Sequence, residues 1–232
     1  MDNLQRPITT LFTLMSLDGK ISTGDSDDLD FDKDLPTIEG VKEGLSQYYD
    51  IEKTTDIFSL NTGRVMSKIG VNDRRDAPNR TPVVFVIVDN KPHLTENGVK
   101  YLSNWTKKLI LVTTNESHPA VNISNENLEV LVYPTKIDFE DLLTKLKTNF
   151  GAKRLTVQSG GEMNATLIRD GLIDFVSVVV APAIIGGRDT STLVDGDSIH
   201  NDSDLKLIKS LKLINVDKLE NSYLRLYYEV IN

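Results

Sequence analysis

Short apolar runs alternate with amphipathic segments along most of this chain. Uninterrupted apolar runs, typical of buried strands, occur at Val83–Val88, Leu109–Val112 and Phe175–Val180. The pattern predicts further short strands at Ile8–Leu14, Ile57–Leu60 and Leu128–Tyr133. Another is predicted from Leu155 to Val157, directly after Arg154. Polar or glycine-containing segments follow most of these runs, so the strands are predicted to end at loops.

Segments with helical spacing lie between the strands. The clearest begins at Asp138, a favourable N-cap residue, and places Leu142, Leu143 and Leu146 on one face. Further helices are predicted at Thr62–Ile69 (a short helix or turn), Glu96–Trp105, Glu162–Leu172, and from Asp34 through Ile38, Val41, Leu45, Tyr48 and Tyr49. The acidic stretch Gly24–Asp34 is predicted to be an exposed loop.

The C-terminal part has a different pattern. Apolar and polar residues alternate in Leu205–Val216 and in Tyr223–Val230. This pattern predicts an antiparallel pair of strands, with Asn221-Ser222 nearby as turn residues. Strands that alternate with helices favour a largely parallel sheet with helices on both faces. We therefore predict a three-layer α/β/α fold with a mixed, mostly parallel sheet and antiparallel C-terminal strands. No linker or shift in composition divides the chain, so residues 1–232 are expected to form a single domain.

Composition and charge exclude several classes of function. The 232 residues carry a net charge of −8 and no basic run, which argues against nucleic acid or an anionic membrane as a partner. No apolar run is long enough to cross a bilayer. Cysteine is absent, which excludes disulfides and thiolate metal sites. The polar segment Met1–Pro7 does not resemble a signal peptide, so a cytoplasmic location is expected.

The histidines give no sign of a metal site. His93, His118 and His200 are dispersed among loop-like segments, and no pair has the spacing of metal ligands. We therefore expect surface histidines and no bound metal.

The most informative local feature is the glycine pair Gly160-Gly161, which stands between a strand pattern and a helix pattern. Two residues without Cβ atoms let a phosphate approach the backbone, and the first N–H groups of a helix point at such an anion. The helix dipole adds attraction for negative charge. The simpler alternative is that the glycines only make a tight turn.

Three other loops also follow strands: Ser16–Lys20, Asn61–Arg64 and Thr113-Thr114. In a parallel sheet, loops at the carboxyl ends of the strands converge on one crevice. Arg64 could bind a phosphate bidentately there, and Thr113 could donate its hydroxyl to the same group. The alternatives are a solvated charge at a helix end for Arg64 and a simple strand end for Thr113.

The order of these motifs resembles a known family. Ser16-Leu17-Asp18-Gly19-Lys20-Ile21 is similar to the opening motif of the riboflavin-biosynthesis reductase domains, the C-terminal half of a bifunctional deaminase-reductase. Val157-Gln158-Ser159-Gly160-Gly161 resembles their second motif, and Leu172–Gly187, which includes Ala181-Pro182, resembles their third. Gly63-Arg64 also resembles the Gly-Arg step of dihydrofolate reductases. The resemblance covers nearly the whole chain.

The resemblance implies a dihydrofolate-reductase-like fold and an NADPH-dependent oxidoreductase. The family reduces a ribosylamino group on a pyrimidine phosphate to a ribitylamino group, as in 5-amino-6-(5-phosphoribosylamino)uracil reductase, and the cofactor carries the hydride. A pterin-like imine is a related possible substrate. A homodimer is also implied, with Phe175–Val180 and the C-terminal strands as candidate interface elements, although burial inside the sheet would explain their apolar character equally well.

The same resemblance implies which residues bind the cofactor, bind the substrate and take part in catalysis. Cofactor-binding residues would be Met15, Arg64, Thr113, Ser159, Gly160, Gly161, Glu162, Met163, Asn164 and Leu167. Ser26 and Gln158 would bind the substrate. Asp18 and Lys20 would be catalytic residues at the edge of the substrate pocket, with Lys20 a proton donor or a phosphate anchor. The alternative for Lys20 is a solvated lysine in a turn.

Departures from the family pattern motivate a second hypothesis. Gln158 stands where the family has a glutamate, and Ile51-Glu52-Lys53 replaces a Leu-Arg-Ala motif whose arginine would grip the substrate phosphate. The His-x-Glu and paired cysteines of the deaminase are also absent. The alternative is therefore a non-catalytic nucleotide-binding or sensing module on the same fold.

Overall fold

A computed structural model describes residues 5–77 and 79–231 of the chain. These residues form two compact units. The central unit consists mainly of Asp56–Ser159, and the terminal unit consists of Ile8–Thr55 together with the segment from Gly160 onwards. The expectation of a single domain stays a prediction.

The central unit contains a parallel sheet. Its strands are β2 (Phe58–Thr62), β3 (Val84–Val88), β4 (Lys108–Thr113), β5 (Leu128–Val132) and β6 (Arg154–Val157). They lie in the order β5-β4-β3-β2-β6, and all four pairings are parallel. Its helices are α3 (Gly63–Lys68), α4 (Glu96–Trp105) and α5 (Phe139–Phe150), with short 3-10 turns at Val71–Asp73 and Pro119–Asn122.

Local sequence explains where these helices begin and end. The Asp138 side chain accepts a hydrogen bond from the Asp141 N–H and caps α5, which ends at Gly151 in the left-handed conformation with φ 74°. The Thr95 side chain caps α4 in the same way through the Gly98 N–H. Buried leucines of α4, β4 and neighbouring segments form the core of the central unit; examples are Leu102, Leu109 and Leu111.

The terminal unit has a mixed sheet. Its strands are β1 (Ile8–Ser16), β7 (Phe175–Ala181), β8 (Ser210–Lys218) and β9 (Leu224–Ile231). β1 and β7 are parallel, whereas β9 is antiparallel to both β7 and β8. Its helices are α1 (Phe31–Asp34), α2 (Ser46–Glu52) and α6 (Gly161–Arg169), with 3-10 turns at Leu35–Thr37, Lys42–Gly44 and Asp202–Leu207. Asn221 and Ser222 have positive φ values of 53° and 67° and form the tight turn between β8 and β9.

Three predicted elements are wrong in part. The continuous helix expected from Asp34 to Tyr49 is broken into two 3-10 turns before α2, because Gly40 adopts a φ of 82° and interrupts it. The first C-terminal strand begins at Ser210, since the residues up to Leu207 form a 3-10 turn. The exposed loop expected over Gly24–Asp34 ends earlier than predicted, at α1, where Phe31 is buried.

The predicted fold class is confirmed in its main feature, which is a mostly parallel arrangement of strands completed by antiparallel C-terminal strands. Among the described residues, none of the helices combines the length and the apolar character that a membrane span would need.

Candidate active site

The two glycines at the start of α6 have different surroundings. Gly160 is the N-cap residue, with φ −76° and ψ 164°, and no side chain caps the helix. A Cβ at Gly160 would meet no atom within 4 Å, whereas a Cβ at Gly161 would lie 2.2 Å from Asp195 Oδ2 and 2.5 Å from the Thr192 carbonyl oxygen. The expectation that both glycines leave room for a phosphate is therefore wrong for Gly161, whose space is filled by the turn 192–195. The space beside Gly160 is open.

A long segment after β7, residues 182–197, packs beside this helix and is here called the β7–β8 connection. The Asp18 carboxylate accepts hydrogen bonds from the N–H groups of Ile185, at 3.1 Å, and Gly186, at 2.6 Å. The hydroxyl of Ser16 also donates to it. The bonds from Ser16 and Gly186 lower the pKa of Asp18 from 3.8 to about 2. Asp18 is therefore ionised at neutral pH and holds no proton to donate there.

Lys20 binds the same connection. Its Nζ donates to the carbonyl oxygens of Gly187, at 2.6 Å, and Thr190, at 2.8 Å, and the residue is only 8% exposed. The alternative that Lys20 is a solvated turn lysine is therefore wrong. Its suggested roles as a proton donor or phosphate anchor stay predictions.

Asn164 fixes the connection from the α6 side. Its buried side chain donates through Nδ2 to the Leu193 carbonyl oxygen at 2.9 Å. Leu167, on the same helix, is 2% exposed and belongs to the protein interior. The remaining predicted residues of the terminal unit differ in exposure: Met15 and Met163 are half-buried, and Glu162 and Ser26 are exposed. Ser26 lies in the acidic loop, where its carbonyl oxygen accepts from the Leu29 N–H.

In the central unit, a buried carboxylate lies at the end of β3. Asp89 Oδ1 is 2.9 Å from His93 Nδ1, and Oδ2 is 3.1 Å from His118 Nε2. The backbone N–H groups of His93 and Leu94 also donate to this carboxylate. A Cβ at Gly63 would lie 2.2 Å from Asp89 Cγ, so only glycine fits at the start of α3. We call Asp89, His93, His118, Gly63 and Thr113 the Asp89 cluster.

Opposing effects act on the Asp89 charge. Burial acts to raise the pKa of the Asp89 carboxyl, but the hydrogen bonds from His118, the Leu94 N–H and His93 outweigh it and hold the pKa below its usual value. His118 Nδ1 accepts from the Ala120 N–H at 3.1 Å, which requires the neutral tautomer with its proton on Nε2. The carboxylate is thus a stable, buried negative charge.

Of the two residues predicted to face a phosphate, Thr113 bonds to the main chain of Asp89, and Arg64 follows Gly63. Arg64 follows Gly63 in α3 and is exposed. Thr113 is fully buried; its Oγ1 donates to the Asp89 carbonyl oxygen at 2.9 Å and accepts from the Asn115 N–H at 3.1 Å. A hydroxyl has one proton to donate. Donation from Thr113 to a phosphate would therefore require its bond to Asp89 to break.

Gln158 and Ser159 follow β6. The half-buried Gln158 accepts at Oε1 from the Ser59 hydroxyl at 2.9 Å, and its N–H donates to the Leu60 carbonyl oxygen. Ser159 is 5% exposed. Gln158 thus holds an ordered position beside β2, and its predicted contact with the substrate stays a prediction.

Sequence reasoning missed the Asp89 cluster. The expectation of a surface histidine is wrong for His118, which is fully buried against a carboxylate 29 residues away in the chain. His93 is only partly exposed, and His200 is exposed as expected. The sequence signal was an aspartate that directly ends the apolar run of β3, but nothing local identifies its partners. Within residues 5–77 and 79–231, no group of three His, Cys, Asp or Glu side chains could hold a metal ion.

Comparison with known proteins identifies relatives over almost the full chain. Residues 7–222 match the family model described as the RibD C-terminal domain. The chain is 31% identical over 205 residues to the 2,5-diamino-6-ribosylamino-4(3H)-pyrimidinone 5′-phosphate reductase of Methanothermobacter thermautotrophicus, covering 86% of this chain and 88% of that protein. It is 24% identical over 227 residues to the enzyme of the same name from Archaeoglobus fulgidus, covering 93% of each.

Solved structures show the same fold. RibD from Acinetobacter baumannii superposes with a TM-score of 0.68 at 16% identity, and the match covers 98% of this chain and 59% of that chain. The riboflavin biosynthesis reductase Rib7 of Saccharomyces cerevisiae gives a TM-score of 0.62 at 17% identity, and the match covers 100% of this chain and 93% of that chain. At these identities the structural likeness supports the fold alone.

Proposed function

Because this chain belongs to the RibD C-terminal domain family and is a reductase of the riboflavin-biosynthesis type, we propose that it reduces 2,5-diamino-6-ribosylamino-4(3H)-pyrimidinone 5′-phosphate with NADPH. The ribosylamino group becomes a ribitylamino group, which requires a hydride at the sugar carbon and a proton. We further propose that the enzyme is cytoplasmic, in keeping with its lack of cysteine.

The open N-terminus of α6 is the observation that carries this proposal. Gly160 leaves free space over the first turn, and no side chain occupies the capping position. The N–H groups there favour a diphosphate, supported by the helix dipole. A bound NADPH would supply the hydride. Ser159, Gly160, Glu162 and Met163 would surround its diphosphate, and Met15 would lie near the nicotinamide.

Several predicted residues fit a positioning role better than direct contact with a ligand. Asn164 and Leu167 are buried, and Asn164 holds the Leu193 carbonyl. Asp18 and Lys20 bind the backbone of the β7–β8 connection. We propose that all four fix the loop that borders the substrate pocket; the substrate-binding roles of Ser26 and Gln158 stay predictions. Since Asp18 is ionised at neutral pH, the proton would come from water or another group.

A direct assay tests this function. Purified protein, the diaminopyrimidinone substrate and NADPH are expected to give the ribitylamino product, followed by loss of NADPH absorbance and by mass spectrometry. The uracil analogue 5-amino-6-(5-phosphoribosylamino)uracil, offered in parallel, distinguishes the two substrate types. Cofactor binding without turnover of either compound would instead support the non-catalytic module. If calorimetry detects no nicotinamide nucleotide binding at millimolar concentration, the proposal fails.

The C-terminal strands support a proposed homodimer. β8 is the last strand of the order β7-β9-β8, and its aliphatic side chains Leu211, Leu213 and Val216 are 48%, 51% and 48% exposed. An edge strand with such an apolar surface is typical of an interface. By contrast, the other candidate, β7, is buried between β1 and β9.

We expect the double variant Leu213→Asp/Val216→Asp to be monomeric, because isologous contacts would place each charge in the apolar interface twice. Light scattering coupled to gel filtration measures the mass. Lys206→Asp, in the preceding 3-10 turn, serves as the control and should stay dimeric. A wild-type protein that is monomeric at all concentrations would rule out the dimer.

A further inference from the structure

We propose that His93 is a specificity residue for the proposed cofactor, donating from its Nε2 to the phosphomonoester that distinguishes NADPH from NADH. The inference rests on the proposed function and names a residue that the sequence analysis treated as an ordinary surface histidine. Three observations support it: the orientation of the ring, its place among the residues of the Asp89 cluster, and the balance of charge there.

The ring of His93 is held in one orientation. Its Nδ1 is 2.9 Å from Asp89 Oδ1, and the His93 backbone N–H donates to the same carboxylate. Because the two nitrogens of an imidazole lie on different sides of the ring, Nε2 is directed away from Asp89. The His93 side chain is 36% exposed, whereas that of Asp89 is 0% exposed. A carboxylate that accepts from Nδ1 fixes the orientation of the ring and directs the second nitrogen towards a ligand, to which Nε2 donates when both ring nitrogens carry a proton.

The ring also lies beside the residues that the sequence predicted to bind phosphate. Asp89 contacts His93 through its carboxylate, the Gly63 position through Cγ, and Thr113 through its carbonyl oxygen. The start of α3, which carries Arg64, therefore lies within one cluster with His93. An imidazolium and a guanidinium together suit a phosphomonoester, which carries up to two negative charges at neutral pH.

The charge balance near His93 explains why a second cation is needed. Asp89 is a buried carboxylate, and by itself it would repel a phosphate placed near Arg64. His118 is in its neutral tautomer and supplies no countercharge. Among neighbouring charges, α3 also carries Lys68, and Glu96 in the first turn of α4 is paired with Lys100 at 2.5 Å. A protonated His93 would offset the charge of Asp89 at the place proposed for the phosphate.

Two substitutions separate phosphate binding from a merely structural role. His93→Asn keeps an amide that can donate to Asp89 but removes the group at Nε2. His93→Gln places a neutral donor near the Nε2 position and weakens the contact with Asp89. The probes are adenosine 2′,5′-bisphosphate, which carries the distinguishing phosphate, and adenosine 5′-monophosphate, which lacks it. Isothermal titration calorimetry gives both affinities, and thermal unfolding confirms that each variant is folded.

We expect His93→Asn to weaken binding of the bisphosphate about tenfold and to leave the monophosphate unchanged, because one charge-assisted hydrogen bond is lost. His93→Gln should retain part of the preference. Arg64→Ala serves as the reference for the loss of affinity for the bisphosphate. His200→Gln, at an exposed histidine of the terminal unit, should change neither affinity.

The outcomes distinguish this inference from the function beneath it. If His93→Asn keeps the full preference for the bisphosphate, or if only His93→Gln loses it, the ring is structural and the inference is wrong. If the wild-type protein binds neither NADPH nor either probe, the proposed cofactor site itself is wrong, and the assignment of His93 fails with it.

Discussion

Replacing Gly160 with aspartate is expected to reduce the affinity for NADPH about a hundredfold while leaving the fold intact. The added Cβ meets open space, and the backbone angles suit an N-cap residue. Aspartate is a good N-cap, so the free energy of unfolding should change by less than about 0.5 kcal/mol. Its carboxylate, however, would occupy the position proposed for the cofactor diphosphate and repel the negative charge of that group. Like charges in contact cost several kcal/mol.

Gly160→Asn is the matched control, since asparagine caps a helix equally well and has the same shape without the charge. It should weaken NADPH binding much less than the aspartate variant. Calorimetry gives the dissociation constants, and urea denaturation gives the stabilities. Equal affinities for the aspartate variant and the wild type would mean that no diphosphate binds over α6, whatever else the protein does.

The second large effect is expected at Asp89. Asp89→Asn should lower the free energy of unfolding by about 3 kcal/mol, because a buried carboxylate is removed from two histidines and two backbone N–H groups that donate to it. An asparagine side chain presents one oxygen and one NH₂ group, so some of these donors are left without an acceptor. A loss of this size is a large fraction of the stability of a typical domain.

The pH dependence gives a second signature. The pKa of Asp89 is lowered on folding, so its stabilisation is fully present above the unfolded value near 3.8 and is lost as the pH falls through the lower folded value. The difference between wild type and Asp89→Asn should therefore shrink below about pH 4. Chemical denaturation from acid to neutral pH measures this difference in the free energy of unfolding.

Asp141→Asn is the control: Asp141 also accepts from Tyr133 and Lys145 but is 41% exposed, so a change in the free energy of unfolding within about 1 kcal/mol is expected. A similarly small change at Asp89 would contradict the buried network.

Local signals in the sequence were enough to predict much of the fold. The N-cap Asp138 and the leucine face located the start and the buried face of α5, and apolar runs located β3, β4 and β7 within one or two residues. The predicted helix from Asp34 failed because periodic apolar residues do not reveal the positive φ of Gly40. Periodicity also does not reveal the tertiary contact at Gly44, where a Cβ would meet the ring of Tyr223, far away in the sequence.

The candidate site was predictable only where its chemistry is local. A glycine pair before a helix signals an anion site from sequence, but the difference between Gly160 and Gly161 depends on the distant turn 192–195. Similarly, Asp18 and Lys20 were identified from their motif, whereas their bonds to backbone groups more than 160 residues away became visible only in the structure. The buried contact between Asp89 and His118 was missed for the same reason, because its two residues lie 29 positions apart in the chain.

The anchoring of the β7–β8 connection restricts how this part of the sequence can change in length during evolution. Asp18, Lys20 and Asn164 bind its backbone at Gly186, Gly187, Thr190 and Leu193, and Arg169 donates to the Asp197 carbonyl oxygen. Adding or deleting a residue between these anchors would shift each downstream carbonyl away from its donor. Insertions and deletions among homologues should therefore accumulate after Asp197, where the chain runs on to the exposed 3-10 turn at Asp202–Leu207.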